Sequence, residues 1–147
     1  MSLELASAEQ TGRFGAAVAR ALRAGDAVCL TGPLGAGKTT FARGLIRALA
    51  GPDEEIPSPT FTLVQLYEGP AFPVAHFDLY RLNAPEEADE LGLDEALAQG
   101  AAVIEWPERL GHRLPGDRLD IVLSFEGEGR RARLHRRGAW EGRSIEF

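Results

Sequence analysis

Gly32-Pro33-Leu34-Gly35-Ala36-Gly37-Lys38-Thr39 is the stretch on which the reading of this chain turns. It satisfies Gly-x-x-x-x-Gly-Lys-[Ser/Thr], the pattern of a phosphate-binding loop. Small residues let successive backbone N–H groups converge on phosphate oxygens, and the N-terminus of a following helix adds its partial positive charge. Lys38 would then reach the β- and γ-phosphates, and Thr39 would offer its hydroxyl to a bridging magnesium ion, which takes few protein ligands and keeps several waters.

The neighbours of the stretch are those the pattern requires. Asp26 to Thr31 reads as a short apolar strand, and Phe41, Leu45, Ala48 and Leu49 form one helical face that ends near Gly51-Pro52. Lys38 is also the only lysine beside fifteen arginines. Where a positive charge alone is needed the chain has arginine, so its one compact ammonium marks a special place.

Outward from this core, Ser7 to Gln10 spells a capping box, and Phe14, Val18, Ala21 and Leu22 recur at helical spacing up to Gly25. Pro57-Ser58-Pro59-Thr60 favours an extended loop, after which Thr62 to Tyr67 alternates as a strand. Val74 to Tyr80 and Ala101 to Trp106 are further strands, separated by a helical stretch through Glu86, Leu91, Leu93 and Leu97. Leu119 to Phe125 is strand-like, with Arg130 to Arg137 as its partner across Glu126-Gly127-Glu128-Gly129. The expected fold is α/β: a single three-layer P-loop NTPase-like domain over residues 1–147, with a mixed, mainly parallel central sheet and helices on both faces. Residues 138–147 read as a less ordered tail.

Composition narrows the class. With 44% hydrophobic and 26% charged residues the 147-residue chain matches a globular protein with a real core, and neither disorder nor a disulfide scaffold fits. Cys29 lies in an apolar run and reads as a buried small hydrophobe, which makes a reducing, cytoplasmic setting the default. No stretch approaches the length of a membrane span. The net charge of −6 argues against broad polyanion binding, although Arg130, Arg131, Arg133, Arg136 and Arg137 form a local basic cluster. That cluster fits a solvated edge strand, a charge partner for nucleotide or another subunit, or a nucleic-acid contact.

Magnesium also calls for a carboxylate at the carboxyl ends of neighbouring strands, where ligands gather in open α/β sheets. Asp78 and Glu105 each end an apolar run and are the two candidates; either one can instead orient the attacking water. His76, inside a strand, reads as a satisfied structural histidine, and no second His or Cys at ligand spacing supports zinc. Ser58 and Thr60 are candidates for a loop that senses the γ-phosphate, or for a plain connector. Guanine recognition through Asn/Thr-Lys-x-Asp is impossible with Lys38 as the one lysine, so adenine is the expected base; Asp89-x-x-Gly92 sits in a helix-like acidic segment and reads as coincidence.

Four ordered signatures carry a family resemblance: Gly32 to Thr40, Ser58-Pro59-Thr60-Phe61-Thr62-Leu63-Val64, His76-Phe77-Asp78-Leu79-Tyr80-Arg81, and Val103-Ile104-Glu105-Trp106-Pro107-Glu108. Together they resemble the TsaE (YjeE) family, bacterial cytoplasmic ATPases of tRNA threonylcarbamoyladenosine (t6A) synthesis, over nearly the whole chain. Gly129-Arg130-Arg131-Ala132-Arg133 is similar to the family's Gly-Arg-x-x-Arg segment, and Thr11 occupies its threonine in the first helix. The resemblance implies that Gly35, Ala36, Gly37, Lys38, Thr39 and Thr40 cradle the phosphates of ATP. It also implies that Thr39 and Glu105 coordinate magnesium, that Asp78 is a second acidic group there, and that Thr11 and Arg130 flank the nucleotide. Lys38, Asp78 and Glu105 are the implied catalytic set. It further implies work with TsaB and TsaD, the latter transferring the threonylcarbamoyl group to adenosine 37 of tRNAs that read codons beginning with A. On that reading tRNA is met only through the complex, and the chain is monomeric when alone.

Residue chemistry without the resemblance stops at a magnesium-dependent phosphate-loop nucleotidase. Two rivals remain at that level: a small-molecule kinase in which arginines 130–137 close as a lid, and a nucleotide-dependent regulatory module without turnover.

Overall fold

The structure, a computed structural model, describes residues 1–59 and 62–147. Ser7 caps the first helix, α1 (Ala8–Ala21), its side chain accepting from the Gln10 N–H, while Gln10 reaches back to the Ala6 N–H. The reciprocal pair expected of a capping box is therefore present, shifted one residue outward on the return bond. Ahead of α1 lies β1 (Ser2–Leu5), a short strand that the sequence reading passes over.

β2 (Ala27–Thr31) runs into the glycine loop and α2 (Lys38–Ala50) follows. Then come β3 (Val64–Glu68), β4 (Pro73–Asp78), α3 (Glu87–Glu90), α4 (Leu93–Gln99) and β5 (Ala101–Glu105). A 3-10 segment at Pro107–Arg113 leads to the hairpin of β6 (Arg118–Glu126) and β7 (Gly129–Arg137). The single helix expected between β4 and β5 is two short ones, because Gly92 takes a left-handed backbone (φ 79°) and ends one helical run before the next begins.

Among the described residues the strands form one sheet in the order β1-β7-β6-β2-β5-β4-β3. β6, β2, β5 and β4 are mutually parallel, and β1, β7 and β3 pair antiparallel at the two ends. The sheet is mixed and helices cover both faces, as the interleaved strand and helix signals imply. α1 and α2 pack with Val28, Leu30, Val74, Ala101 and Val103 into one core; Ala88, Leu93 and Leu110 pack with Cys29, Phe77 and Ile104 into the other. Burial pushes the Cys29 thiol well above its usual pKa, which makes it an inert core side chain.

Residues 138–147 depart from the expectation of a less ordered tail. Trp140 is fully buried, and Arg143 packs on its ring and donates to Asp26 Oδ2 at 2.5 Å. Phe147 meets Phe14 edge-on at 5.5 Å between ring centres. The sequence hides this because the anchors are single residues spread over polar neighbours, with no periodic pattern to read. No helix of the described residues is long and apolar enough to cross a membrane.

Candidate functional site

Parallel pairing brings the sequence-predicted acids together. Leu30 of β2 is in register with Glu105 of β5, and Glu105 with Asp78 of β4, so three strands end side by side beneath the loop that leaves β2. Because side chains alternate along a strand, Glu105 follows Ala101 and Val103 on the face toward α2, as Asp78 follows Val74 and His76. Both carboxylates are buried, at 2% and 7% exposure.

The loop closes onto α2 through Gly37, whose left-handed backbone (φ 106°) turns the chain so that Lys38 starts the helix. The first N–H groups of α2 have no intrahelical acceptors and are open to an anion there. Lys38, Thr39, Thr40, Gly35, Gly37 and Ser58 line one cavity of about 260 Å³ with Asp78, Glu105, Leu34 and Trp106. Ala36 is fully buried, its N–H bonded to the Pro33 carbonyl, which braces the loop.

Inside that cavity the contacts are specific. The Thr39 hydroxyl lies 3.1 and 3.4 Å from the two Glu105 oxygens. Nε2 of fully buried His76 lies 2.6 Å from Glu105 Oε2. Asp78 Oδ1 accepts from the Tyr80 N–H at 3.1 Å, and the Asp78 N–H donates to the Leu63 carbonyl at 2.9 Å. The Lys38 ammonium donates to the Gly32 carbonyl and, at 3.2 Å, to that of Pro33; it also sits 4.1 Å above the Trp106 ring. Burial pushes the Lys38 pKa below the usual lysine value, against the pull of Glu105, Glu108 and Asp78.

A second, smaller cavity of about 130 Å³ lies across the loop, lined by Gly35, Gly37 and Thr40 together with Ser7, Thr11, Glu128, Gly129 and Arg130. The Arg130 guanidinium donates to the Gly35 carbonyl at 3.0 and 3.3 Å and rests 4.5 Å from the Phe125 ring. Thr11, only 2% exposed, comes within reach of the loop at Gly37. The two cavities share Gly35, Gly37 and Thr40, so the loop is the wall between them.

The arginines at 131–137 are not a lid: they belong to β7, a strand flanked by β1 and β6 and so not an edge strand either. Of the cluster, Arg130 is the member that lines either cavity among the described residues. His76, read from the sequence as a satisfied structural histidine, has its Nε2 against Glu105 Oε2. Thr60 lies outside the described residues. Asp89 pairs with Arg113 at 2.8 Å from a short helix that lines neither cavity, which agrees with a coincidental Asp-x-x-Gly.

Trp106 is a site residue that residue chemistry alone missed. It has a left-handed backbone (φ 61°) uncommon for a bulky residue, and its ring lies between Lys38 and Tyr80, 4.9 Å from the latter. Leu63 has the same kind of backbone (φ 64°) where its carbonyl meets Asp78. Strained positions cluster at functional sites, and both of these flank the acids. The available signal was an aromatic side chain directly after a strand-end carboxylate.

With this geometry in hand, similarity to known proteins is informative. The family model "Threonylcarbamoyl adenosine biosynthesis protein TsaE" matches residues 5–133. A protein of Rickettsia bellii named tRNA threonylcarbamoyladenosine biosynthesis protein TsaE is 43% identical over 127 residues, covering 86% of this chain and 88% of its own length. Proteins of the same name from Treponema pallidum and Bacillus subtilis are 43% and 38% identical over 126 and 124 residues; the alignments cover 85% and 84% of this chain and 92% and 77% of those proteins. The crystal structure of Bacillus subtilis YdiB superposes with a TM-score of 0.80 at 30% identity, covering 96% of this chain and 88% of that one. A glycine loop between two cavities, two in-register acids and these matches lead to one assignment: the chain belongs to the TsaE family of t6A biosynthesis.

Proposed function

We propose that this chain binds ATP with magnesium on the loop at residues 32–39 and hydrolyses it, as the ATP-dependent subunit that works with TsaB and TsaD in placing t6A at adenosine 37. The observation that carries the reading is the strand register that delivers Asp78 and Glu105 to the cavity of Lys38 and Thr39. The donor set there suits magnesium: one hydroxyl and two carboxylates are hard oxygen ligands, and magnesium asks for only one or two carboxylates beside phosphate. Thr39, Glu105 and Asp78 would hold it, and when bound it supplies charge neutralisation at the β- and γ-phosphate oxygens.

The chain's own residues do the rest. The Lys38 ammonium, now turned to the Gly32 and Pro33 carbonyls, would exchange them for phosphate oxygens. The α2 N-terminus directs N–H groups and its partial charge toward the same anion. An acid that the metal leaves free would instead accept a hydrogen bond from the attacking water and orient it. Thr11 and Arg130 flank the remainder of the nucleotide in the smaller cavity, on the far side of the loop. The role with TsaB and TsaD is supported by the family and by the four signatures that carry it.

The test is magnesium-dependent ATP hydrolysis by the purified protein, alone and with TsaB plus TsaD, with Lys38→Ala as the blank. Partner-stimulated hydrolysis that disappears in the blank is expected, since losing one charge-stabilising contact costs about 3–4 kcal/mol in a transition state. Turnover at the wild-type rate in Lys38→Ala would remove the site assignment, and indifference to both partners would remove the pathway role.

A further inference from the structure

Glu105 is held from two sides. Its Oε2 takes both the His76 ring, at 2.6 Å, and the Thr39 hydroxyl, at 3.4 Å, while Oε1, among the described residues, meets Thr39 alone, at 3.1 Å. One carboxylate oxygen is thus fixed and the other keeps lone pairs for a ligand in the cavity. His76 itself is fully buried, yet its Nδ1 has no hydrogen-bond partner among the described residues. The ring commits its Nε2 to an acid in the site. Its position is dictated by the sheet: His76 and Asp78 share a face of β4, and the parallel register sets Asp78 beside Glu105, so His76 reaches Glu105 diagonally from below.

We infer that His76 is a positioning residue for the metal-binding carboxylate: its Nε2–H donates to Glu105 Oε2 and holds the rotamer that would offer Oε1 to a divalent cation. The inference rests on the proposed role of Glu105 toward magnesium. Partners that orient a ligating side chain in this way characteristically change metal affinity by about 10–100-fold when lost. The donor role follows from the partner: a carboxylate oxygen accepts, so the proton of the shared bond is placed on Nε2.

Two measurements test it. Long-range proton–nitrogen NMR of the wild-type histidine rings, with His76 assigned by its loss in His76→Gln, is expected to show a proton on Nε2 that is protected from exchange. An unprotonated Nε2 overturns the inference, and this result requires no destabilising variant to fold. Calorimetric binding of ADP at increasing magnesium then compares wild type, His76→Leu, His76→Gln and Glu105→Ala, with melting temperatures recorded alongside. His76→Leu is expected to keep the magnesium-free ADP affinity while its magnesium half-saturation rises by about tenfold or more. His76→Gln, which can still place a donor near Oε2, stays within about threefold of wild type on the same grounds. A folded His76→Leu protein with lowered melting temperature and wild-type magnesium dependence shows that the contact is structural only, and overturns the inference. The comparison separates the two claims: unchanged magnesium dependence in Glu105→Ala removes both, whereas loss in Glu105→Ala without loss in His76→Leu removes the inference alone.

Discussion

Arg130 shows how one side chain can serve two neighbours at once. Its guanidinium lies on the Phe125 ring and donates to the Gly35 carbonyl, so it braces the glycine loop from the side away from the acids. A planar, always charged fork suits that task, and lysine would not reproduce it. Truncation in Arg130→Ala is expected to weaken nucleotide binding by about 1.5–3 kcal/mol, the range for hydrogen bonds to charged groups, while turnover at saturating ATP is largely kept. Titration calorimetry beside steady-state hydrolysis checks the split; a collapse of turnover with affinity intact would move Arg130 to the reacting side of the loop. Lys38 has the opposite character. Buried beside Glu105 and Asp78 and stacked on Trp106, it belongs to the cavity where the acids converge.

At the scale of elements, the packing of α1 on α2 controls where the loop ends and the helix begins. The two helices approach closely at glycines: a Cβ added at Gly44 would lie 2.1 Å from the Gly12 carbonyl oxygen, and one at Gly15 would lie 2.2 Å from that of Phe41. Phe14 meets Phe41 edge-on at 5.4 Å just beside this contact. In an isolated helix Gly44→Ala would gain about 1 kcal/mol of propensity. Here the added methyl meets backbone that cannot swing aside, and net destabilisation of about 1–3 kcal/mol is expected. Urea unfolding measures the sign, and a stabilised Gly44→Ala protein would contradict the close approach. Because Thr11 on α1 reaches Gly37 and Thr40 follows in α2, the same substitution is expected to weaken nucleotide binding as well.

Over the whole molecule, the two ends of the chain are tied to the sheet by long-range contacts. β1 pairs with β7, and the C-terminal segment returns to the start of β2, where Arg143 donates to Asp26 and to the Ala21 carbonyl. Both members of the ion pair are nearly buried, with side-chain exposures of 7% and 3%. Removing one partner leaves the other charge uncompensated, so Arg143→Ala is expected to cost about 3–5 kcal/mol, far more than an exposed pair. Chemical denaturation decides this, and a change below 0.5 kcal/mol would show the tail to be dispensable, on the scale of surface substitutions. Such a tie was beyond the reach of the sequence, since Asp26 and Arg143 stand at opposite ends and nothing local links them. The same distinction runs through the site. The sequence by itself determined the glycine loop, the strand and helix around it, the two strand-end acids and the mixed α/β class, because each rests on neighbouring residues whose spacing and chemistry are legible in one dimension. Period-two alternation gave the acids a face but not a partner. Only the tertiary structure decided that Leu30, Glu105 and Asp78 end in register, that His76 lies against Glu105, and that Thr11 and Arg130 meet across one loop. Those are outcomes of strand order and parallel pairing, which are fixed by packing between segments distant in the chain and leave no local pattern behind.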